Sequence, residues 1–148
     1  METLLANPAF RTYAFCTAIL GLKMVFSAVY TGTQRSRTRG FINAEDAATF
    51  GPPGATAGDQ EHPEVAHALR IQRNDLEAIP IFFAVGLVYV LTGASPFGAK
   101  VFCWTFTLAR LAHTYCYMHH IQPWRAVSFV VATSATVLMA LRVLWTTL

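Results

Sequence analysis

Charge is what this sequence has little of. Only 13% of its 148 residues are Asp, Glu, Lys or Arg, about half the usual fraction of roughly 25%. With 54% hydrophobic residues and a mean hydropathy of +0.41, so short a chain has too little interior to hide its apolar surface from water. That balance excludes an ordinary soluble domain and fits an integral membrane protein. A basic stripe with interleaved aromatics on a polar surface is also missing, which argues against nucleic acid as a partner despite the formal charge of +3. Cysteine is scarce. Cys16, Cys103 and Cys116 are odd in number, lie in apolar segments and show no C-x-x-C or Cys/His spacing. They read as buried, reduced, structural thiols, and no metal site is expected. Met1 to Phe10 lacks a basic n-region and no small-residue cleavage site follows, so the first apolar segment is expected to stay as a membrane anchor.

What is present is a set of long apolar runs. Crossing a bilayer takes roughly 20 apolar residues in a helix, and the runs near 8–33, 63–93, 97–118 and 123–147 meet that length. Pro63 stands near the start of the second run, Pro80 is expected to kink it, and Gly93-Ala94-Ser95-Pro96 ends it in a tight turn. Between the first two runs, residues 34–62 form a polar loop. Asn43 reads as the N-cap of a short helix with Glu45 and Asp46 in its first turn, stopped by Gly51-Pro52-Pro53-Gly54. His62 has no second histidine at ligand spacing and reads as solvent-exposed. The expected fold class is all-α: a single domain over 1–148, an integral membrane four-helix bundle with short second and third connections. Arg35, Arg37, Arg39 and Arg125 fall on one side of that bundle, which the positive-inside rule makes cytoplasmic, so both termini face the other compartment.

Two polar faces interrupt the apolar helices. Arg70, Arg73, Asn74 and Glu77 recur at i, i+3, i+4 and i+7 and share one helix face, while Asp75 points elsewhere. Arg110, His113, Thr114 and Tyr117 repeat that spacing on the third run, at the same basic end. Ionisable groups inside a membrane are costly unless they face protein, water or a ligand. Two readings stay open. One is an interhelical salt-bridge net, with Arg70 or Arg73 on Glu77 and Arg110 on Asp46 or Glu77. The other is a polar-ligand site, because arginines outnumber carboxylates there and buried guanidinium groups want an anion. Lys23, at mid-depth in the first run, reads as snorkelling or paired with a carboxylate of a neighbouring helix rather than as a substrate contact.

Arg70-x-x-Arg73-Asn74-Asp75-x-Glu77 resembles the signature of the MAPEG superfamily, the membrane-associated proteins of eicosanoid and glutathione metabolism. Ala68-Leu69-Arg70 before it and Ile79-Pro80-Ile81-Phe82 after it fit the same pattern. Phe41-Ile42-Asn43-Ala44-Glu45-Asp46 is similar to a family motif that has proline where Ala44 stands. Gly93-Ala94-Ser95-Pro96, Ala109-Arg110-Leu111-Ala112-His113-Thr114 and Pro123-Trp124-Arg125-Ala126-Val127-Ser128-Phe129 match later family segments, so the likeness covers nearly the whole chain in order. Within the superfamily it most resembles the branch of microsomal glutathione transferase type 1 and microsomal prostaglandin E synthase.

The resemblance implies a homotrimer with glutathione, as co-substrate, bound between neighbouring subunits near the cytoplasmic face. Carried over by match, Arg35, Arg73, Asn74, Glu77, His113, Tyr117, Phe129 and Arg125 belong to the glutathione site, supported by Arg70, Arg110 and Thr114. Arg125 is the catalytic candidate, lowering the thiol pKa from about 8.5, and Asp46 would orient Arg125 or its neighbour. The expected activity is glutathione transfer to hydrophobic electrophiles, with peroxidase action on lipid hydroperoxides. The hydrophobic or lipid co-substrate would arrive from the bilayer. Prostaglandin synthases have serine right after this arginine and tyrosine a turn later. Ala126 and Phe129 stand here, which speaks against an endoperoxide isomerase. A lipid-binding scaffold, in which the polar faces only lock the helices, is the third alternative. The absence of a basic retention-like tail before Leu148 favours a bacterial inner membrane over the endoplasmic reticulum.

Overall fold

The computed structural model describes residues 4–148. Among them are a 3-10 turn at Leu4–Ala6 and five α-helices: α1 (Pro8–Thr38), α2 (Ala44–Phe50), α3 (Pro63–Leu91), α4 (Pro96–Met118) and α5 (Trp124–Thr147). No strand occurs among the described residues. Helix α1 runs five residues beyond the expected end at 33, so Arg35 and Arg37 lie in its last turn. Arg39 leaves the helix in the left-handed region at φ 52°.

Local chemistry accounts for most boundaries. Gly93 takes φ +89° just after α3, a conformation glycine adopts without a Cβ clash. Ser95 then caps α4, its Oγ accepting from Gly98 N at 3.0 Å, with Pro96 at the first helical position. Asn43 has the extended backbone of an N-cap, but its side chain does not cap α2. Its Nδ2 donates instead to Asp46 Oδ2 at 3.2 Å.

The chain divides into two compact units, one of residues 1–23 with 75–148 and one of residues 24–74. In the first, α4 packs along α5. Ser128, Ala132, Ala135 and Met139 form the buried stripe of α5, and the small residues on it allow close helix approach. The core of this unit stacks Phe82 on Phe106 with centroids 4.2 Å apart. Tyr13 donates from its hydroxyl to the Phe83 carbonyl at 2.8 Å. A Cβ on Gly86 would stand 3.0 Å from the Tyr13 ring, so that approach depends on the missing side chain. In the second unit the loop folds onto itself. Gly58 N donates to the Phe41 carbonyl at 2.9 Å, and Gly40 lies against the exposed His62.

Helices α1, α3 and α5 are long and apolar enough to cross a membrane. Their outward positions are apolar too, as Leu22, Leu141, Leu144 and Trp145 are exposed. Helix α4 has the length but not the same apolarity, because Thr105, Thr107, Arg110, His113 and Thr114 lie within it. The three cysteines are buried and free, as expected.

Candidate functional site

The polar residues on the membrane helices of the first unit form two clusters of opposite character. The inner one joins three helices. Asp75 of α3 is 1% exposed. It accepts from Lys23 Nζ of α1 at one oxygen and from Arg110 Nη2 of α4, at 2.8 Å, at the other. Lys23 and Arg110 are buried as well. A lone charge at such depth is costly, and a carboxylate set between two cations offsets much of that cost. Lys23 therefore has the carboxylate partner on a neighbouring helix that was expected of it. Asp75 does point away from the polar face of α3, and it is the acidic residue that holds the core. One expectation needs correcting: the buried partner of Arg110 is Asp75, not Asp46 or Glu77.

The outer cluster surrounds the first turn of α5. His113 Nδ1 lies 2.9 Å from the carbonyl oxygen of Arg125, and Ser128 Oγ donates to the same oxygen at 3.0 Å. A carbonyl only accepts, so the proton sits on Nδ1 and the lone pair on Nε2. That Nε2 is buried and has no hydrogen-bond partner among the described residues. Thr114 Oγ1, one residue on, is in the same situation. The Tyr117 ring packs edge-on to His113 at 5.8 Å and takes the Arg125 guanidinium over its face, 4.5 Å from the centroid. Phe129 flanks His113 at 6.1 Å. Gln122, in the amide orientation that satisfies both groups, accepts from Arg125 Nη2 at 2.6 Å and Nε at 3.0 Å. No carboxylate pairs with Arg125 among the described residues. Its charge is gripped by an amide and an aromatic face, neither of which neutralises it.

The expected site residues divide between the two units. Glu77, Arg110, His113, Thr114, Tyr117, Arg125 and Phe129 lie in the first unit; Arg35, Asp46, Arg70, Arg73 and Asn74 lie in the second. The structure brings His113, Tyr117, Phe129 and Arg125 together, with Thr114 beside them. Glu77 is exposed. In the second unit Arg35 Nη2 is bonded to Glu61 Oε1 at 2.8 Å, a pairing the sequence did not suggest because Glu61 reads as part of an exposed loop. Arg70 and Arg73 are exposed, Asn74 is half-buried, and Asp46 accepts from Asn43. Sequence reasoning missed Gln122 and Ser128. The signal for Ser128 was its place one helical turn after Arg125; for Gln122 it was the short reach from the loop to the first turn of α5.

Comparison with known proteins matches this sequence to one family. The family model described as the MAPEG family matches residues 13–145. The chain is 36% identical over 142 residues to prostaglandin E synthase of Homo sapiens, covering 95% of this chain and 91% of that protein. It is 35% identical over 146 residues to prostaglandin E synthase of Mus musculus, covering 98% and 92%. It is 34% identical over 146 residues to microsomal glutathione S-transferase 1 of Bos taurus, covering 97% and 94%. With its long apolar helices and a match spanning nearly its whole length, this chain is an integral membrane protein and belongs to the MAPEG family.

Proposed function

We propose that this chain is a membrane-bound glutathione transferase that joins glutathione to hydrophobic electrophiles. The observation that carries the reading is the un-neutralised Arg125 guanidinium, fixed by Tyr117 and Gln122 while His113 and Ser128 hold its carbonyl. A cation held this way stabilises an anion placed beside it without reorganising. The thiol of glutathione is such a group, with a reference pKa of about 8.5 and a thiolate as its reactive form. The microsomal glutathione S-transferase 1 relative supports the choice of ligand.

The residues present fit that ligand. The orphaned Nε2 of His113 accepts a hydrogen bond from an amide or ammonium N–H, and the Thr114 hydroxyl can donate or accept. In the chemical step the thiolate sulfur attacks the electrophilic carbon and the leaving group departs with its electron pair. The thiol proton has already gone to solvent. With a lipid hydroperoxide the same sulfur attacks oxygen and releases the alcohol, and a second glutathione completes the disulfide with loss of water. Holding both reactants in one oriented site supplies much of the rate.

The proposal extends to the assembly. One transmembrane domain over 1–148, with α1, α3, α4 and α5 as the spans, would form a homotrimer. The exposed Arg70, Arg73 and Glu77 support this, since a polar stripe on a membrane helix calls for a neighbouring chain or a ligand. Arg35, Arg70, Arg73, Asn74 and Glu77 are assigned to glutathione, with Arg110 in support and Asp46 as an orienting carboxylate. Glutathione would enter from the cytoplasm and the electrophile from the bilayer.

Conjugation kinetics with a chloronitroaromatic electrophile test the reading. Arg125→Ala is expected to lower the rate by about 10²–10³-fold while the oligomer, followed by size-exclusion chromatography, survives. Full activity in that variant would end the catalytic role of Arg125.

A second reading, glutathione-dependent isomerisation of a lipid endoperoxide, is favoured by the prostaglandin E synthase relatives. Ala126 offers no hydroxyl at the position after Arg125, and the Ser128 hydroxyl is engaged with the Arg125 carbonyl. Under that reading Ala126→Ser raises the isomerase rate. A wild type inactive on an endoperoxide, with no gain in the variant, would dispose of it.

A further inference from the structure

At the other end of the first unit, far along α4 from His113, a cavity of about 410 Å³ opens between the starts of α1 and α4. Pro8, Arg11, Thr12 and Phe15 line it from α1, and Lys100 and Trp104 from α4. Its floor is aromatic, with Phe15 and Trp104 at 5.8 Å between centroids. Its two cations are exposed. Neither the Arg11 nor the Lys100 side chain makes a hydrogen bond or ion pair with any described residue. Neither helix carries an acidic residue in its first turn. Both cations sit close to a helix N-terminus, where the helix dipole adds to the positive potential. Two like charges therefore face one pocket with no counter-charge from the described residues, and an anion is the occupant that balances them.

The walls below the cations decide which kind of anion. Further along the same helices Leu22 on α1 and Leu108 on α4 are exposed. They lie on helices assigned to the hydrocarbon region. Trp104 has the amphipathic ring favoured at the boundary between headgroup and acyl chain. A phosphate at the top and an acyl chain along the apolar side satisfy both halves of the pocket. We propose that Arg11 and Lys100 bind the phosphate of an acidic phospholipid, whose chain lies against Phe15 and Trp104. This site is separate from the Arg125 cluster and does not depend on the glutathione reading.

The test uses the full chain in phosphatidylcholine nanodiscs, in a Trp124→Phe/Trp145→Phe background that leaves Trp104 as the single tryptophan. Phosphatidylglycerol or phosphatidylcholine with brominated acyl chains serves as quencher. Brominated phosphatidylglycerol is expected to quench Trp104 at lower mole fraction, with a preference on the order of tenfold for two cations at a membrane surface. In Arg11→Gln/Lys100→Gln the ratio falls to about one, while Arg11→Lys/Lys100→Arg keeps it, because the charge remains. Equal quenching by the two lipids in the wild type, or a preference surviving the glutamine pair, would overturn the proposal. So would loss of the preference in the charge-preserving pair. Abolition of the preference by inorganic phosphate would mark a soluble-anion site and overturn the lipid assignment.

Discussion

Arg110, on α4, is fully enclosed and bonded to a carboxylate that also holds Lys23. Arg125, on the first turn of α5, is partly exposed and held by an aromatic face and an amide. Both are guanidinium groups in the same unit, on helices joined by a short loop, yet their partners give them different work. A carboxylate offsets the charge of the buried cation and leaves little field for anything else. A neutral clamp fixes position and leaves the charge available to an anionic ligand. Under the proposed function, the partner's charge rather than burial depth is what marks Arg125 as the arginine available to an anion.

The largest way to break this contrast is to remove the carboxylate from the inner cluster. Asp75→Ala leaves two buried cations facing each other and is expected to destabilise the fold by about 3–5 kcal/mol, read as a lower midpoint in denaturation from detergent micelles. Lys23→Met/Asp75→Leu/Arg110→Met, which removes all three charges, is expected to recover most of that loss. An Asp75→Ala protein as stable as wild type would mean the cluster does not hold the helices.

Next in size is converting the outer cluster into a copy of the inner one. Gln122→Glu keeps the reach to Arg125 Nε and Nη2 but brings a negative charge. A carboxylate there disfavours the thiolate, so the pKa of bound glutathione rises and less thiolate is present at neutral pH. A rise of about one unit, equal to roughly 1.4 kcal/mol, means about tenfold slower conjugation at low pH, with the rate recovering as pH rises. Gln122→Ala should slow the reaction less and leave the pH profile in place. Equal effects from the two variants would reduce Gln122 to a packing role. The smallest effect is Ser128→Ala. It removes one of two side-chain hydrogen bonds to the Arg125 carbonyl, worth about 0.5–1.5 kcal/mol, and a few-fold drop in kcat with KM little changed would sharpen the view that the carbonyl anchor aims the guanidinium.

Sequence and structure agree where the signals are local. Apolar length and the Gly93-Ser95-Pro96 punctuation place α3 and α4 to within a few residues, because capping and φ preferences act over a single turn. The i, i+3, i+4, i+7 spacing places His113 and Tyr117 together. The long-range ion pairs were not legible. Lys23 and Asp75 are 52 residues apart, Arg110 and Asp75 are 35, and Arg35 and Glu61 are 26. Tertiary packing alone fixes such partners. The polar stripe of α3 drew attention to Arg70, Arg73 and Glu77, yet within this chain those residues are exposed and the off-stripe Asp75 is the buried one. A periodic pattern identifies a face; it does not say whether that face turns toward its own chain.

The most direct test of the central claim is the ultraviolet difference spectrum of the purified protein with glutathione near neutral pH, read at the thiolate band, with Arg125→Ala beside it. The account predicts a saturable thiolate signal in the wild type that disappears in the variant. A wild type that binds no glutathione, or an equal thiolate signal in both proteins, would contradict it.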